Sequence, residues 1–151
     1  MSYATFYMSK FVRWETPFTD AFCPSVWLLA AKPFNLIVIV KPHEEDYPKY
    51  LIYFGEVLAF TCMEESCCPE RDFSDAIFDE AFERAKPICA AQWLNSPWLK
   101  SYEGCHDPEG DGKYSHYLIF GGDNNVEVIT ANQPMIEMIE QQKILKIEYE
   151  I

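Results

Sequence analysis

The apolar positions of this chain fall into short runs separated by proline, glycine and charge. Leu36–Val40 (LIVIV) is β-branched, apolar at every position and bounded by Pro33 and Pro42, which predicts a central strand buried on both faces. Tyr50–Phe54 and Val57–Glu64 read as two strands, and Gly55-Glu56 between them suits a type II′ hairpin turn. Ser115–Phe120 and Val126–Thr130 read as a second hairpin around Gly121–Asn125. Near the end, Leu145, Ile147, Tyr149 and Ile151 alternate with Lys146, Glu148 and Glu150, the pattern of a strand with one wet face. The two hairpins echo each other: Tyr47–Gly55 (YPKYLIYFG) and Tyr114–Gly122 (YSHYLIFGG) share Tyr-x-x-Tyr-Leu-Ile at an offset of 67 residues. Strand and turn chemistry draws on few residue types, so two unrelated strands arriving at the same residues explains the echo better than an internal repeat.

A longer period predicts helices. In Asp72–Lys86, Phe73, Ile77, Phe78, Ala81, Phe82 and Ala85 form one apolar face, Asp72 caps the start and Pro87 stops the end. Ile88–Leu94 continues as a further helical turn or two, and Asn95-Ser96-Pro97 restarts a helix with Ser96 as cap and Pro97 in the first turn. Met135, Ile136, Met138 and Ile139 predict a helix over Gln133–Gln142. Residues 1–31 leave two choices open. Tyr3, Tyr7, Phe11 and Trp14 recur at helical spacing while Tyr3, Thr5 and Tyr7 alternate, and Ser25–Ala31 suits a short helix or a buried strand. The expectation is a single α+β domain over 1–151, a mostly antiparallel sheet built from hairpins and covered by helices on one face.

Charge narrows the partners. The formal net charge is −12, and residues 43–151 hold 22 acidic against 8 basic side chains. Such a surface repels phosphate backbones and anionic membranes, so neither nucleic acid nor a membrane is expected, while a basic protein would be attracted. The N-terminal sequence lacks a basic start followed by an apolar stretch, and the longest apolar runs fall far short of a membrane span, so a cytoplasmic protein with reduced thiols is expected. Cys23, Cys62 and Cys89 sit in apolar contexts and read as small core residues.

Candidate chemistry is sparse. Asp107-Pro108-Glu109-Gly110-Asp111-Gly112 begins like a calcium loop but places Leu118 where a bidentate Glu is needed. Cys67-Cys68 and Cys105-His106 lack zinc-ligand spacing, and no metal or cofactor is expected. No nucleophile-elbow, phosphate-loop or dinucleotide glycine pattern is present, so no motif supports an enzyme. Two regions are worth locating in three dimensions: the loop carrying Cys105, His106, Asp107, Glu109 and Asp111, and a pocket or interface built from Trp93, Trp98, Tyr114 and His116.

Tyr50–Phe54 leading into Val57–Glu65, the segment WLNSPW from Trp93 to Trp98, and His116–Ile119 leading into Glu127-Val128-Ile129 together resemble small acidic bacterial proteins of the toxin-immunity type. The resemblance implies a non-catalytic protein that neutralises a basic partner through an acidic face, and it assigns no site residue. The alternative from the residues is a small-molecule-binding domain or enzyme with an aromatic pocket between helices and sheet.

Overall fold

The computed structural model describes residues 9–32, 34–43, 48–64, 77–78, 88–102 and 113–139. Strands dominate them: β1 (Lys10–Arg13), β2 (Ser25–Lys32), β3 (Asn35–Lys41), β4 (Lys49–Gly55), β5 (Ala59–Glu64), β6 (Ile77–Phe78), β7 (Ala90–Leu94), β8 (Ser115–Phe120), β9 (Asn124–Thr130) and β10 (Met135–Ile139). A single helical turn, α1 (Pro97–Lys100), follows β7. The strands form a six-stranded sheet in the order β5-β9-β8-β7-β1-β6 and a four-stranded sheet in the order β10-β4-β3-β2. Every pairing is antiparallel except β1 with β6. Among the described residues, no helix is long and apolar enough to cross a membrane.

The expected α+β fold is therefore corrected to a two-sheet, nearly all-β fold. What covers the inner face of each sheet is the other sheet. Val38, Val40, Ile52 and Phe54 of the smaller sheet pack with Ala90, Tyr117, Ile119, Val126 and Val128 of the larger. Trp14 and Phe18, from the turn between β1 and β2, close the same core, and Trp14 lies 4.8 Å from Tyr117 between ring centroids. Central strand β3 behaves as LIVIV predicts. Leu36, Val38 and Val40 enter the inter-sheet core, while Ile37 and Ile39 join Leu51 and Ile139 on the opposite face.

Three helix expectations are overturned where the structure describes them. Met135–Ile139 is a strand in register with β4, from Met135 opposite Tyr53 to Ile139 opposite Lys49. The ladder satisfies the backbone of β4 along an edge that would otherwise be bare, and that long-range gain outweighs a five-residue periodicity. Ala90–Leu94 is β7, a strand pairing both β1 and β8. Ile77–Phe78, within the expected Asp72–Lys86 helix, is a short strand beside β1. The rest of that helix and the expected strand Leu145–Ile151 lie outside the described residues. Ser25–Ala31, left open between helix and strand, is β2.

The first predicted hairpin is also corrected. β4 and β5 do not pair: β4 lies between β3 and β10, and β5 pairs with β9 in the other sheet. Gly55, at φ +67, turns the chain out of one sheet into the other. The second hairpin is as expected, with β8 and β9 in continuous register from Ser115 opposite Thr130 to Phe120 opposite Asn125. The two copies of the echo thus have different surroundings.

Beyond β9 the chain crosses the opposite way, into β10. The two crossings lie side by side and are tied together. Thr130 Oγ1 donates to Glu56 O at 2.9 Å, Asn132 Nδ2 donates to Glu56 O at 2.8 Å, and Leu58 N donates to Ile129 O at 2.9 Å. At its start, β9 is fastened to β2: Val26 N donates to Asp123 Oδ1 at 2.9 Å, and Asn124 Nδ2 donates to Val26 O at 2.8 Å. The start of β2 and the end of β4 are at opposite ends of the smaller sheet, as the pairs Ser25–Lys41 and Leu36–Gly55 require. Strand β9 therefore runs diagonally across the smaller sheet and is pinned to it at both ends.

The glycines at these two junctions do different jobs. A Cβ on Gly121 would lie 2.5 Å from Asn124 O and 2.9 Å from Pro24 O, both backbone atoms that cannot step aside. A Cβ on Gly55 would meet only Asn132 Nδ2 at 3.6 Å, so its cost is the left-handed backbone alone. Gly55→Ala is expected to lose about 1–2 kcal/mol. Gly121→Ala is expected to lose more, about 2–4 kcal/mol, because it forces the hairpin tip off β2. Urea unfolding of the two variants checks the order.

Candidate functional site

On the outer face of the six-stranded sheet, away from the smaller sheet, lies a row of rings. Phe11 of β1 stacks on Trp93 of β7 with centroids 4.5 Å apart, and the other face of Trp93 stacks on His116 of β8 at 5.5 Å. Trp98 of α1 meets His116 edge-on at 5.3 Å. Cross-strand register makes the row: Phe11 faces Trp93 directly, and Gln92 faces Tyr117, which sets Trp93 beside His116. Leu118 and the half-buried Phe120 extend the apolar floor.

His116 is 1% exposed and has a polar partner at each ring nitrogen. Ser96 Oγ lies 2.6 Å from Nδ1, and Glu127 Oε1 lies 2.9 Å from Nε2. Ser96 is fully buried and Glu127 is 8% exposed. Local rules place all three. Ser96 is the N-cap of α1 and accepts from Leu99 N at 3.0 Å, with Pro97 in the first turn as its sequence predicts. Asn95, at φ 54, makes the sharp bend from β7 into that cap. Leu118 opposite Glu127 and His116 opposite Ile129 put His116 and Glu127 on diagonal positions of one face.

One assignment of hydrogens satisfies all three groups. Ser96 Oγ already accepts the Leu99 N–H, so its own hydrogen is free to go to Nδ1. In the neutral imidazole Nε2 then carries the proton, which Glu127 accepts. A serine, a histidine and a carboxylate in sequence are the components of a hydrolytic relay. Here the serine oxygen is sealed from solvent and holds a helix start, and both faces of Trp93 beside it are covered. The arrangement fastens α1 to the sheet.

Of the residues singled out in the sequence, Trp93, Trp98 and His116 are brought together, and Tyr114 is half-buried just before β8. Cys105, His106, Asp107, Glu109 and Asp111 lie outside the described residues, as do Cys67 and Cys68. Glu127 was not singled out: a turn over Gly121–Asn125 pairs Phe120 with Val126 and sets 127 on the face away from 116, and it is the observed register, Phe120 opposite Asn125, that brings the two onto one face.

Of the three cysteines read as core, one is. Cys89 is buried and donates to Phe18 O at 2.8 Å, and burial pushes its thiol up to about 12. Cys23 and Cys62 are exposed. Cys23 sits at φ 44 in the loop ahead of β2. Cys62 lies on the same face of β5 as Phe60, and the smaller sheet, which buries Val126 and Val128 on β9, leaves Phe60 37% exposed.

Ser96→Ala removes the cap and leaves Nδ1 of buried His116 without its hydroxyl. It is expected to cost about 2–4 kcal/mol, a fall in Tm of roughly 5–15 °C. A fluorophosphonate probe is expected to leave Ser96 unlabelled, and a Ser96 adduct found by mass spectrometry would make the relay a nucleophile. Because a thiol raised this far stays protonated, maleimide at neutral pH should modify Cys23 but not Cys89 until denaturant is added. No protein-family model, no curated protein and no solved structure matches this chain.

Proposed function

We propose that this is a non-catalytic binding module that works in the cytoplasm and engages a basic protein partner through an acidic surface, as an immunity protein engages a toxin. The observation that carries the reading is the charge: 22 acidic against 8 basic side chains over residues 43–151. A field of that sign speeds encounter with a cationic surface and disfavours nucleic acid. The sealed Ser96–His116–Glu127 relay supports the non-catalytic part, because the cluster best suited to chemistry among the described residues is committed to holding α1. Two packed sheets pinned at β9 also give such a surface a stiff support.

The test is capture of partners from native lysate on immobilised protein, at low and at high salt. The expected result is retention of a discrete basic protein at low salt and its release at high salt, since screening weakens attraction between exposed charges. Retention of no basic protein at either salt would contradict the proposal.

A further inference from the structure

We infer, resting on the basic-partner reading above, that the loop between β1 and β2 is the face that receives the partner, with Phe22 as its apolar anchor and Asp20 and Asp123 as its carboxylates. Phe22 and Phe34 are the most exposed aromatic side chains among the described residues, at 69% and 72%. A single exposed ring is ordinary on a protein surface. Phe22 is set apart by how it is held and by what surrounds it.

The chain presents Phe22 on a fixed frame. Ala21 and Pro24 are buried on either side of the exposed pair Phe22-Cys23. Ala21 N donates to Phe18 O at 2.9 Å, and Phe18 is buried in the inter-sheet core. Cys89 N donates to Thr19 O at 2.9 Å, and Gly122 N donates to Pro24 O at 2.9 Å. These bonds fasten the loop to the segments flanking β7, β8 and β9. Cys23, at φ 44, holds a left-handed backbone that an L side chain adopts only at a cost. A Cβ on Gly122 would lie 2.9 Å from Cys23 O, so the loop packs directly on the tip of the β8–β9 hairpin. A ring held out by such a frame loses little freedom when a partner covers it.

Charge selects the occupant. Asp20 precedes Phe22 by two residues, and Asp123 follows Gly122 on the hairpin tip that Cys23 touches. Arg13 pairs with Asp20 at 2.7 Å and with Glu15 at 2.6 Å, yet the two carboxylates stay 73% and 74% exposed. One guanidinium against two carboxylates leaves a net negative charge. Asp123 is exposed as well, while its Oδ1 accepts from Val26 N. A ring beside carboxylates fits an arginine or lysine side chain, because the ring face attracts the cation and the carboxylate accepts its hydrogen bonds. The same carboxylates disfavour a second copy of this acidic chain, a nucleic acid or an anionic membrane. Phe34 has the opposite setting, with the exposed Lys32 two residues before it.

Backbone amide NMR mapping of the full chain at low salt, with an oligoarginine peptide as the probe, tests this face. Shift changes are expected to centre on Asp20–Cys23 and Gly122–Asp123. Phe22→Ala is expected to weaken the peptide about threefold to tenfold, while Phe34→Ala, which removes an equally exposed ring, leaves its affinity unchanged. Should Phe22→Ala fail to fold, the map on wild type decides. Absence of binding overturns the inference. So do shift changes spread over the acidic surface or centred elsewhere, or an affinity indifferent to Phe22→Ala. Capture of a basic protein from lysate that survives Phe22→Ala leaves the proposed function standing and removes this face from it. A peptide seated on this face, with no basic protein captured, does the reverse.

Discussion

Two stretches of chain leave one sheet and enter the other at the same place, and the hydrogen bonds that Thr130 and Asn132 give to Glu56 O hold that place. Everything that defines the inter-sheet core follows from this junction. Because β4 crosses into β5 while β9 crosses into β10, the two crossing segments stay neighbours in both sheets, as β4 with β10 and as β5 with β9. One paired ribbon is folded over the side of the sandwich. A buried threonine and an asparagine satisfy a carbonyl that neither sheet ladder can reach there, so the crossing leaves the Glu56 carbonyl paired. The other end of β9 is pinned by Asp123 and Asn124 to Val26. With both ends fixed, Val126 and Val128 have one place to go, against Val38, Val40 and Ile52.

The outer face of the larger sheet solves a second problem. A serine, a histidine and a glutamate are buried together among Trp93, Trp98 and Phe11. Buried polar groups are tolerated only when paired, and each ring nitrogen of His116 has its partner. The same three groups therefore specify where α1 sits, which a purely apolar contact would do less uniquely.

What the sequence made legible was local. LIVIV announced a doubly buried strand, Ser96-Pro97 a helix start, and Gly121–Asn125 a hairpin, because each depends on its own few residues. The junction at Gly55-Glu56 was misread because a glycine suited to a tight turn is equally suited to a corner. The decision is made by Thr130 and Asn132, more than seventy residues away. Met135–Ile139 was misread for a related reason: five apolar-rich residues carry too little period to tell helix from strand, and the bare edge of β4 decides. Trp93, Trp98 and His116 were named together by residue type, but Ile88–Leu94 read as helix, so the strand register that gathers Trp93 and His116 was not legible. Ser96 was identified only as a cap, and its second role needed the distance to His116.

The crossing at Gly55 is the claim on which the account stands, and cross-strand backbone NOEs in solution test it most directly. Contacts are predicted between Phe60 and Val128 and between Ile52 and Ile136, with none between Ile52 and Ala59. Contacts joining Ile52 to Ala59 and Leu51 to Phe60 along a ladder would show a simple hairpin about Gly55-Glu56 and would contradict it.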